Sequence, residues 1–138
     1  MKKLIIALAV ILFAGMAYGQ SLQKGGILAI HEWSLTLNPD VTMDQFVKFW
    51  ETKAIPLMKQ QIPEATSFII KGIRENNKDT YAGLYVYNSL EDLRKYWKED
   101  GSPTEKGMKA MESYGPIMEE IATFGEFTYT ASDWIIVK

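Results

Sequence analysis

Residues 26–35, GILAIHEWSL, constrain the fold more than any other stretch of the chain. Aliphatic and aromatic side chains dominate it, and both alternating sets of side chains begin apolar and carry polar groups later. A strand that is apolar on both faces is typical of the interior of a sheet whose faces are both covered. The stretch also carries the only histidine of the protein, His31, beside Glu32 and Trp33. We therefore expect a central strand here, with the histidine on it.

The first 19 residues have the pattern of a secretory signal peptide. Two lysines precede an unbroken apolar run, residues 4–14, which is too short to span a bilayer, and small residues suit cleavage before Gln20. A buried N-terminal helix or a retained anchor is the alternative. Because no cysteine follows the run, no lipid anchor is expected. We therefore predict a signal peptide over residues 1–19, export to the periplasm or the medium, and a single domain over residues 20–138.

Charge and cysteine content exclude several classes of function. The sequence has 15 basic and 17 acidic side chains, and the formal charge moves from −2 to −4 once the two lysines of the signal peptide are removed. Nucleic acids and anionic membranes bind clustered lysine and arginine, so neither is expected as a partner after cleavage. Without cysteine there is no disulfide or thiolate metal site, and with a single histidine no metal site is predicted. Packing must supply the stability, and pairing with a second copy would add to it.

The next segments alternate helix and strand signals. Thr42 and Gln45 form a capping box that predicts a helix start, and Pro56 is expected to bend that helix or to split off its last turn. Residues 66–74 and 80–87 are rich in β-branched and aromatic side chains and flank a polar connection, which predicts a hairpin.

Two further helices and a last strand complete the pattern. Ser89 and Ser102 are the predicted N-caps, and Gly115-Pro116 is expected to kink the second of these helices midway. Residues 126–137 predict a strand with a bulge near Ser132. Three methionines recur at helical spacing and are predicted to face the core, with a soft-metal site as the alternative. They are Met108, Met111 and Met118.

This order of elements, βαββααβ, predicts an α+β fold of the ferredoxin-like type, with a four-stranded antiparallel sheet and its helices on one face. Right-handed crossovers place the first and third strands side by side in the middle. In the third strand, the small aliphatic set around Leu84 is expected to pack on the helices, and the tyrosine set to line a cavity or a partner. Four side chains then become neighbours: His31, Trp33, Tyr85 and Tyr87.

This pattern resembles the dimeric α+β barrel superfamily, and within it the antibiotic-biosynthesis-monooxygenase-like branch. The resemblance covers residues 27–137 and rests on the element order and on three local features. These are a first helix with Phe46, Trp50 and Pro56, its run into Ile62-Pro63, and Ser89-Leu90-Glu91-Asp92 after the third strand. The resemblance implies a homodimer that pairs sheet to sheet into a barrel, with a pocket between helices and sheet or inside the barrel. Members range from cofactor-free oxygenases through haem-degrading enzymes to proteins without known activity.

The haem-degrading members use an asparagine, a tryptophan and a histidine on a helix to bind and distort haem. Here the only histidine, His31, lies on the first predicted strand, so the haem site is not carried over. In a pocket arranged differently, Trp97 is the residue that would have the role of the haem-binding tryptophan. The sequence requires no cofactor, and it gives haem no support.

His31 is the candidate catalytic residue, because an imidazole titrates near neutral pH. Its neighbour Glu32 points to the opposite face of a strand and cannot orient it without a bulge. The rings of four other residues suit a flat, partly apolar ligand, and they would equally suit packing in a core or a dimer interface. These candidate ligand-binding residues are Trp33, Tyr85, Tyr87 and Trp97.

Three functions are compatible with these residues. The first is an exported homodimer that pairs through its sheet and binds a small hydrophobic or aromatic ligand. The second is a cofactor-independent monooxygenase- or isomerase-like enzyme, in which His31 moves a proton and Tyr85 or Tyr87 steadies a developing anion. The third is a structural dimer without a ligand.

Overall fold

The computed structural model describes residues 22–138, so the predicted signal peptide lies outside the described residues. The strands are β1 (Ile27–Leu37), β2 (Ala65–Lys71), β3 (Tyr81–Tyr87) and β4 (Gly125–Ile135). The helices are α1 (Met43–Phe49), α2 (Ile55–Gln61), α3 (Leu90–Arg94), α4 (Glu105–Ser113) and α5 (Gly115–Phe124), with a π-helical turn at Trp50–Ala54 and a 3-10 turn at Glu75–Asn77. Within residues 22–138, no helix has both the length and the apolar character needed to cross a membrane.

The four strands form one antiparallel sheet in the order β2-β3-β1-β4. This order confirms the predicted ferredoxin-like α+β fold, including the hairpin of β2 with β3 and the central place of the histidine-bearing strand. His31 lies opposite Gly83 on β3 and opposite Ala131 on β4. The position of His31 is therefore fixed by hydrogen-bonded ladders on both sides.

The first helical region begins as the sequence predicts. The Gln45 amide donates to the Thr42 hydroxyl at 3.3 Å, and the Thr42 amide donates to the Gln45 side chain at 2.8 Å. The predicted break near Pro56 takes the form of the π-helical turn, which ends where the Ile55 amide donates to the Trp50 carbonyl. Pro56 then falls in the first turn of α2, directly after this π-helical turn.

The C-terminal half departs from the sequence prediction in two local features. The N-cap of α4 is Thr104, whose hydroxyl accepts from the Gly107 amide at 3.1 Å, and Ser102 instead binds Asp100. The bulge predicted near Ser132 is wrong, because β4 pairs with β1 continuously along its whole length. The predicted cap at Ser89 and the break before Gly115 are confirmed.

The prediction that the methionine stripe faces the core is also wrong. All three of its methionines are about half exposed, whereas Gly107, Ala110 and Ile121 are buried. A methyl group on Gly107 would overlap the Tyr96 carbonyl, so this face of α4 packs against backbone and leaves no room for a long side chain. Spacing identified a helix but not the side of it that is buried.

The helices cover the sheet face that carries His31. The small aliphatic set of β3 was predicted to pack on the helices, but the tyrosine set of the strand lies there instead. Tyr85 and Tyr87 lie under the helices in a core with Leu93 and Tyr96. The small aliphatic set of β3 projects from the face without helices, called the open face here. We attribute the position of the tyrosine set to the short, broken helices. Such helices leave space above the sheet, and large aromatic rings fill that space. The open face carries Leu28, Ile30, Glu32, Phe68, Ile70, Ala82, Leu84, Val86 and Trp134.

Candidate functional site

His31 lies between two tyrosine rings on the helix-covered face. Its ring contacts Tyr85 edge-on, with the centroids 4.7 Å apart, and stacks on Tyr129 at 4.8 Å with only 4° between the planes. Tyr85 comes from the neighbouring strand β3, and Tyr129 from β4 on the other side. Sequence reasoning missed Tyr129, because the predicted bulge left the register of β4 undetermined. Correct pairing of β4 with β1 would have placed Tyr129 beside His31.

The surroundings of His31 favour a neutral imidazole. Burial lowers the pKa of His31 from its usual 6.5, and the carboxylate of Asp133 opposes that shift without cancelling it. Glu32 lies on the open face, as strand alternation requires, and so cannot orient the imidazole. At neutral pH, His31 therefore offers one acceptor nitrogen and one donor nitrogen rather than a positive charge.

Three tyrosine hydroxyls accompany His31 in the interior. The Tyr85 hydroxyl lies over Gly83, where an added Cβ would sit 2.7 Å from it. Burial raises the pKa of Tyr85 and of Tyr114, and it raises the pKa of Tyr87 to about 12. All three phenols are therefore protonated donors at neutral pH. Among the described residues, the buried Tyr114 hydroxyl has no hydrogen-bond partner.

The second half of β4 is not covered by any of the described helices. Its helix-side residues Tyr129 and Ile135 are 53% and 55% exposed, although they share a face with the buried residues of β1. The helix α5 ends where β4 begins, and α3 has only five residues, so neither of these helices extends over this half of the strand. We call this uncovered stretch of the sheet the β4 trough. It consists of Tyr129, Ala131, Asp133 and Ile135, with His31 at its inner wall.

A concavity of about 210 Å³ lies at one end of the β4 trough, between α3 and β4. Its walls are mostly apolar, and it has one charged side chain of each sign, Arg94 and Asp133. These two side chains form no ion pair with each other among the described residues. The other walls are Ile27, Leu90, Leu93, Trp134 and Ile135.

The remaining candidate residues lie in the two cores. Trp33 packs on Phe46 and Trp50, with centroids 5.5 and 4.7 Å away, in a cluster under α1. Tyr87 is buried in the other core, against which Trp97 packs. The structure thus brings His31 and Tyr85 into contact, while it places Trp33, Tyr87 and Trp97 in packing contacts. Their role in ligand binding stays a prediction.

These residues do not fit a haem site. Haem would need an open approach to the histidine ring and an indole facing the same pocket. Here Tyr85 and Tyr129 pack against the His31 ring from two directions, and Trp97 packs instead against the core that contains Tyr87. Over residues 22–138, no group of three or more histidine or carboxylate side chains is placed to hold a metal ion.

A second polar cluster lies apart from His31 and was not predicted. The carboxylate of Glu64, just ahead of β2, accepts hydrogen bonds from the Tyr96 hydroxyl and, at 2.9 Å, from the Lys106 ammonium. The same ammonium lies 4.4 Å from the centre of the Tyr96 ring. Burial alone would raise the pKa of Glu64, but these hydrogen bonds outweigh it and lower the pKa to about 2. The cluster ties the start of β2 to α4 and therefore has a structural role.

Both shifted groups should make the fold less stable in acid. As the pH drops below 6.5, the unfolded chain binds a proton at His31 more readily than the folded chain does. The free energy of unfolding therefore decreases as the pH is lowered through this range. Between pH 4.5 and about 2, the same argument applies to Glu64. We expect His31→Gln to flatten the first decline and Glu64→Gln the second, as measured by urea unfolding across the pH range. Glu64→Gln should also lose about 1.5 to 3 kcal/mol at neutral pH, where it removes a charge-assisted hydrogen bond.

Nuclear magnetic resonance provides an independent check on this prediction. The single imidazole of the chain gives one set of side-chain signals, so its titration can be assigned to His31 without mutants. A folded-state titration midpoint at or above 6.5 would contradict the expected acid dependence.

No family model matches the sequence, and no curated protein matches it. The backbone is similar to that of a dimeric protein of unknown function with a ferredoxin-like fold from Bacteroides fragilis NCTC 9343, with a TM-score of 0.43 and 14% identity over 82% of this chain and 98% of that one. It is also similar to an EthD-like protein from Ralstonia eutropha JMP134, with a TM-score of 0.49 and 12% identity over 84% of this chain and 96% of that one. Likenesses at this level carry no argument about activity, ligand or assembly.

Proposed function

We propose that the protein is an exported homodimer that binds a small, flat, largely apolar molecule in the β4 trough. The observation that carries the proposal is the half-buried His31 ring, held by Tyr85 and Tyr129 beside an uncovered stretch of sheet. Aromatic surface next to a small number of polar groups is typical of sites for flat organic ligands. The concavity between α3 and β4 adds apolar wall at one end.

The open face supports the dimer. Phe68, Ile70 and Trp134 project from it with 48%, 38% and 61% of their surface exposed. An apolar patch of this kind on a sheet without a helix layer is typical of an interface, and a second copy of the same face would cover it. Paired sheets would leave Tyr129, Ala131, Asp133 and Ile135 accessible, because these four residues lie on the other face.

The sequence pattern of residues 1–19 supports export. An exported protein without cysteine must rely on packing for stability. Burial of the open face in a dimer would contribute to that stability.

A charge placed in the trough tests the ligand-binding proposal. The variant Ile135→Lys puts an ammonium into the concavity, and Val137→Lys puts the same charge on an exposed residue that does not line it. Titration with 2-acetonaphthone should shift the imidazole signals of His31 in the native protein and in Val137→Lys. In Ile135→Lys we expect affinity to fall by about tenfold or more, because a charged, hydrated side chain replaces apolar wall that the ligand would contact.

Two results would contradict the proposal. One is an imidazole signal that does not respond to the ketone at any concentration. The other is an equal loss of affinity in Ile135→Lys and Val137→Lys, which would place the ligand outside the trough.

A further inference from the structure

The pairing of the strands arranges the open face as three rows of side chains that run across the sheet from β4 to β2. Residues directly opposite one another in antiparallel strands share a row and a face. If two open faces overlap fully in a symmetric dimer, the two-fold axis lies between them and passes through the middle of these rows. The first row is Trp134, Leu28, Val86 and Thr66, the second is Ser132, Ile30, Leu84 and Phe68, and the third is Thr130, Glu32, Ala82 and Ile70.

The third row borders a concavity of about 190 Å³, called the corner hollow here. Its apolar lining includes Ile70 and Ala82, and its charged lining residues are Glu32 and Lys71. The Lys71 ammonium is paired with Asp79 at 3.0 Å, whereas Glu32 forms no ion pair among the described residues. A partner that covers this corner must therefore supply an apolar group for the hollow and a hydrogen-bond donor for Glu32.

The open-face side chains of β4 meet both requirements. Trp134 lies at the opposite corner of the rows from Ile70 and is mostly exposed. Its indole N–H donates to the Ser132 hydroxyl at 3.1 Å, which leaves the Ser132 O–H as a donor. Thr130 adds a second exposed hydroxyl two residues earlier. One face of β4 therefore presents an apolar ring and two hydroxyl groups in a line.

The spacing of this line matches the third row. The four residues from Thr130 to Trp134 span about 14 Å along a strand, and the three strand spacings from β4 to β2 also span about 14 Å. A two-fold axis along the diagonal through Thr130 therefore lays β4 of one copy along the third row of the other. Trp134 then lies over the partner's Ile70 at the corner hollow, and Ser132 lies over the partner's Glu32. The strands of the two sheets cross at near right angles, which is one of the two arrangements that packed sheets adopt.

The other axes leave Glu32 without a donor. An axis parallel to the strands places Glu32 over the partner's Ala82, and an axis perpendicular to the strands places it over the partner's Leu28. The second diagonal places it near the partner's Phe68. A carboxylate that is enclosed against apolar side chains without a hydrogen bond is strongly unfavourable. Only the diagonal through Thr130 supplies both the apolar ring and the donor.

On this basis we propose that two copies of the chain pair with crossed strands, so that Trp134 of each copy fills the corner hollow of its partner and Ser132 donates to the partner's Glu32. This inference rests on the homodimer proposed above. It adds the arrangement of the two copies and identifies a site that each copy completes in the other.

Single introduced cysteines test the arrangement, because the chain has no cysteine of its own. The proposed axis passes through Thr130, so the two substituted residues of a Thr130→Cys dimer lie about 10 Å apart, the distance between packed sheets. Bismaleimidoethane, a short thiol cross-linker, should join them into a covalent dimer on a denaturing gel. Ile70→Cys is the control on the same row. Its two copies lie at opposite corners, about 20 Å apart in the plane of the sheets, and should not be joined.

Analytical ultracentrifugation tests the individual contacts through the Kd of the dimer. We expect Trp134→Ala to raise this Kd about thirtyfold or more, as the loss of a central aromatic anchor does. Ser132→Ala should raise it about tenfold, because Glu32 loses its donor, and should have little further effect in a Glu32→Ala protein. Thr128→Ala is the matched control. It removes an exposed hydroxyl from the same face of β4 but outside the three rows, and it should leave the Kd unchanged.

The outcomes separate this inference from the proposed homodimer. A native protein that stays monomeric would leave the open face to a partner of another kind, and both proposals would fail. In a dimeric protein, any cross-linking pattern other than the joining of Thr130→Cys alone would leave the homodimer standing and overturn the crossed arrangement. Equal effects of Ser132→Ala and Thr128→Ala on the Kd would also overturn it, because the Ser132 hydroxyl would then have no specific acceptor in the partner.

Discussion

Phe46→Ala will remove a large part of the stability of the domain. The Phe46 side chain is fully buried, and its ring lies 5.5 to 5.8 Å from the rings of four other aromatic side chains. Truncation of a buried phenylalanine is unfavourable by about 3 to 5 kcal/mol, against a total stability of about 5 to 15 kcal/mol for a typical domain. Urea unfolding followed by near-ultraviolet circular dichroism measures the loss directly. The four rings are Trp33, Trp50, Phe124 and Phe127.

Phe68→Ala is the matched control, with the same chemical change on the open face. Phe68 is 48% exposed, so its truncation leaves the two cores intact. We expect normal circular dichroism and a shift from dimer to monomer in light scattering at micromolar concentration. Unfolding must be compared at matched protein concentration, because dimerisation adds to apparent stability. A Phe68→Ala protein that unfolds as readily as Phe46→Ala, or that remains fully dimeric, would contradict the roles given to these two residues.

Gly107→Ala is the second change expected to have a large effect, although alanine is the better helix former. A Cβ at this position overlaps the carbonyl oxygen of Tyr96, and backbone cannot move aside as a flexible side chain can. We expect α4 to be displaced, with a loss of about 3 kcal/mol of stability. Because α4 carries Lys106, which donates to Glu64, the link between α4 and the start of β2 should weaken as well.

Gly115→Ala provides the control for helix propensity. It also changes glycine to alanine in a helix, but nothing lies within 4 Å of the added Cβ, and the backbone is not in a conformation that favours glycine. Stability should therefore rise by about 0.4 to 1 kcal/mol, because alanine has less backbone entropy than glycine to lose on folding. Equal destabilisation by the two changes would show that the close contact at Gly107 is not the cause.

The sequence determined the elements of this fold because their signals are local. The capping box at Thr42, the cap at Ser89 and the apolar run of β1 each act over a few residues, and the structure has a helix start, a helix cap and a strand at these places as expected. Together with the handedness of crossovers, they define the sheet order and the central place of His31. The same locality explains why His31 and Tyr85 were correctly expected to be neighbours.

Only the tertiary structure decided which surfaces are buried and what surrounds His31. Alternation assigns side chains to two faces of a strand but does not say which face receives the helices, so the small aliphatic face of β3 was wrongly expected to pack on them. Helical spacing likewise did not reveal that α4 packs through Gly107 and not through its methionines. The register of β4, which places Tyr129 on His31, depends on pairing between residues about a hundred positions apart. Burial and register are properties of packed pairs of elements, and no single stretch of sequence contains both members of a pair.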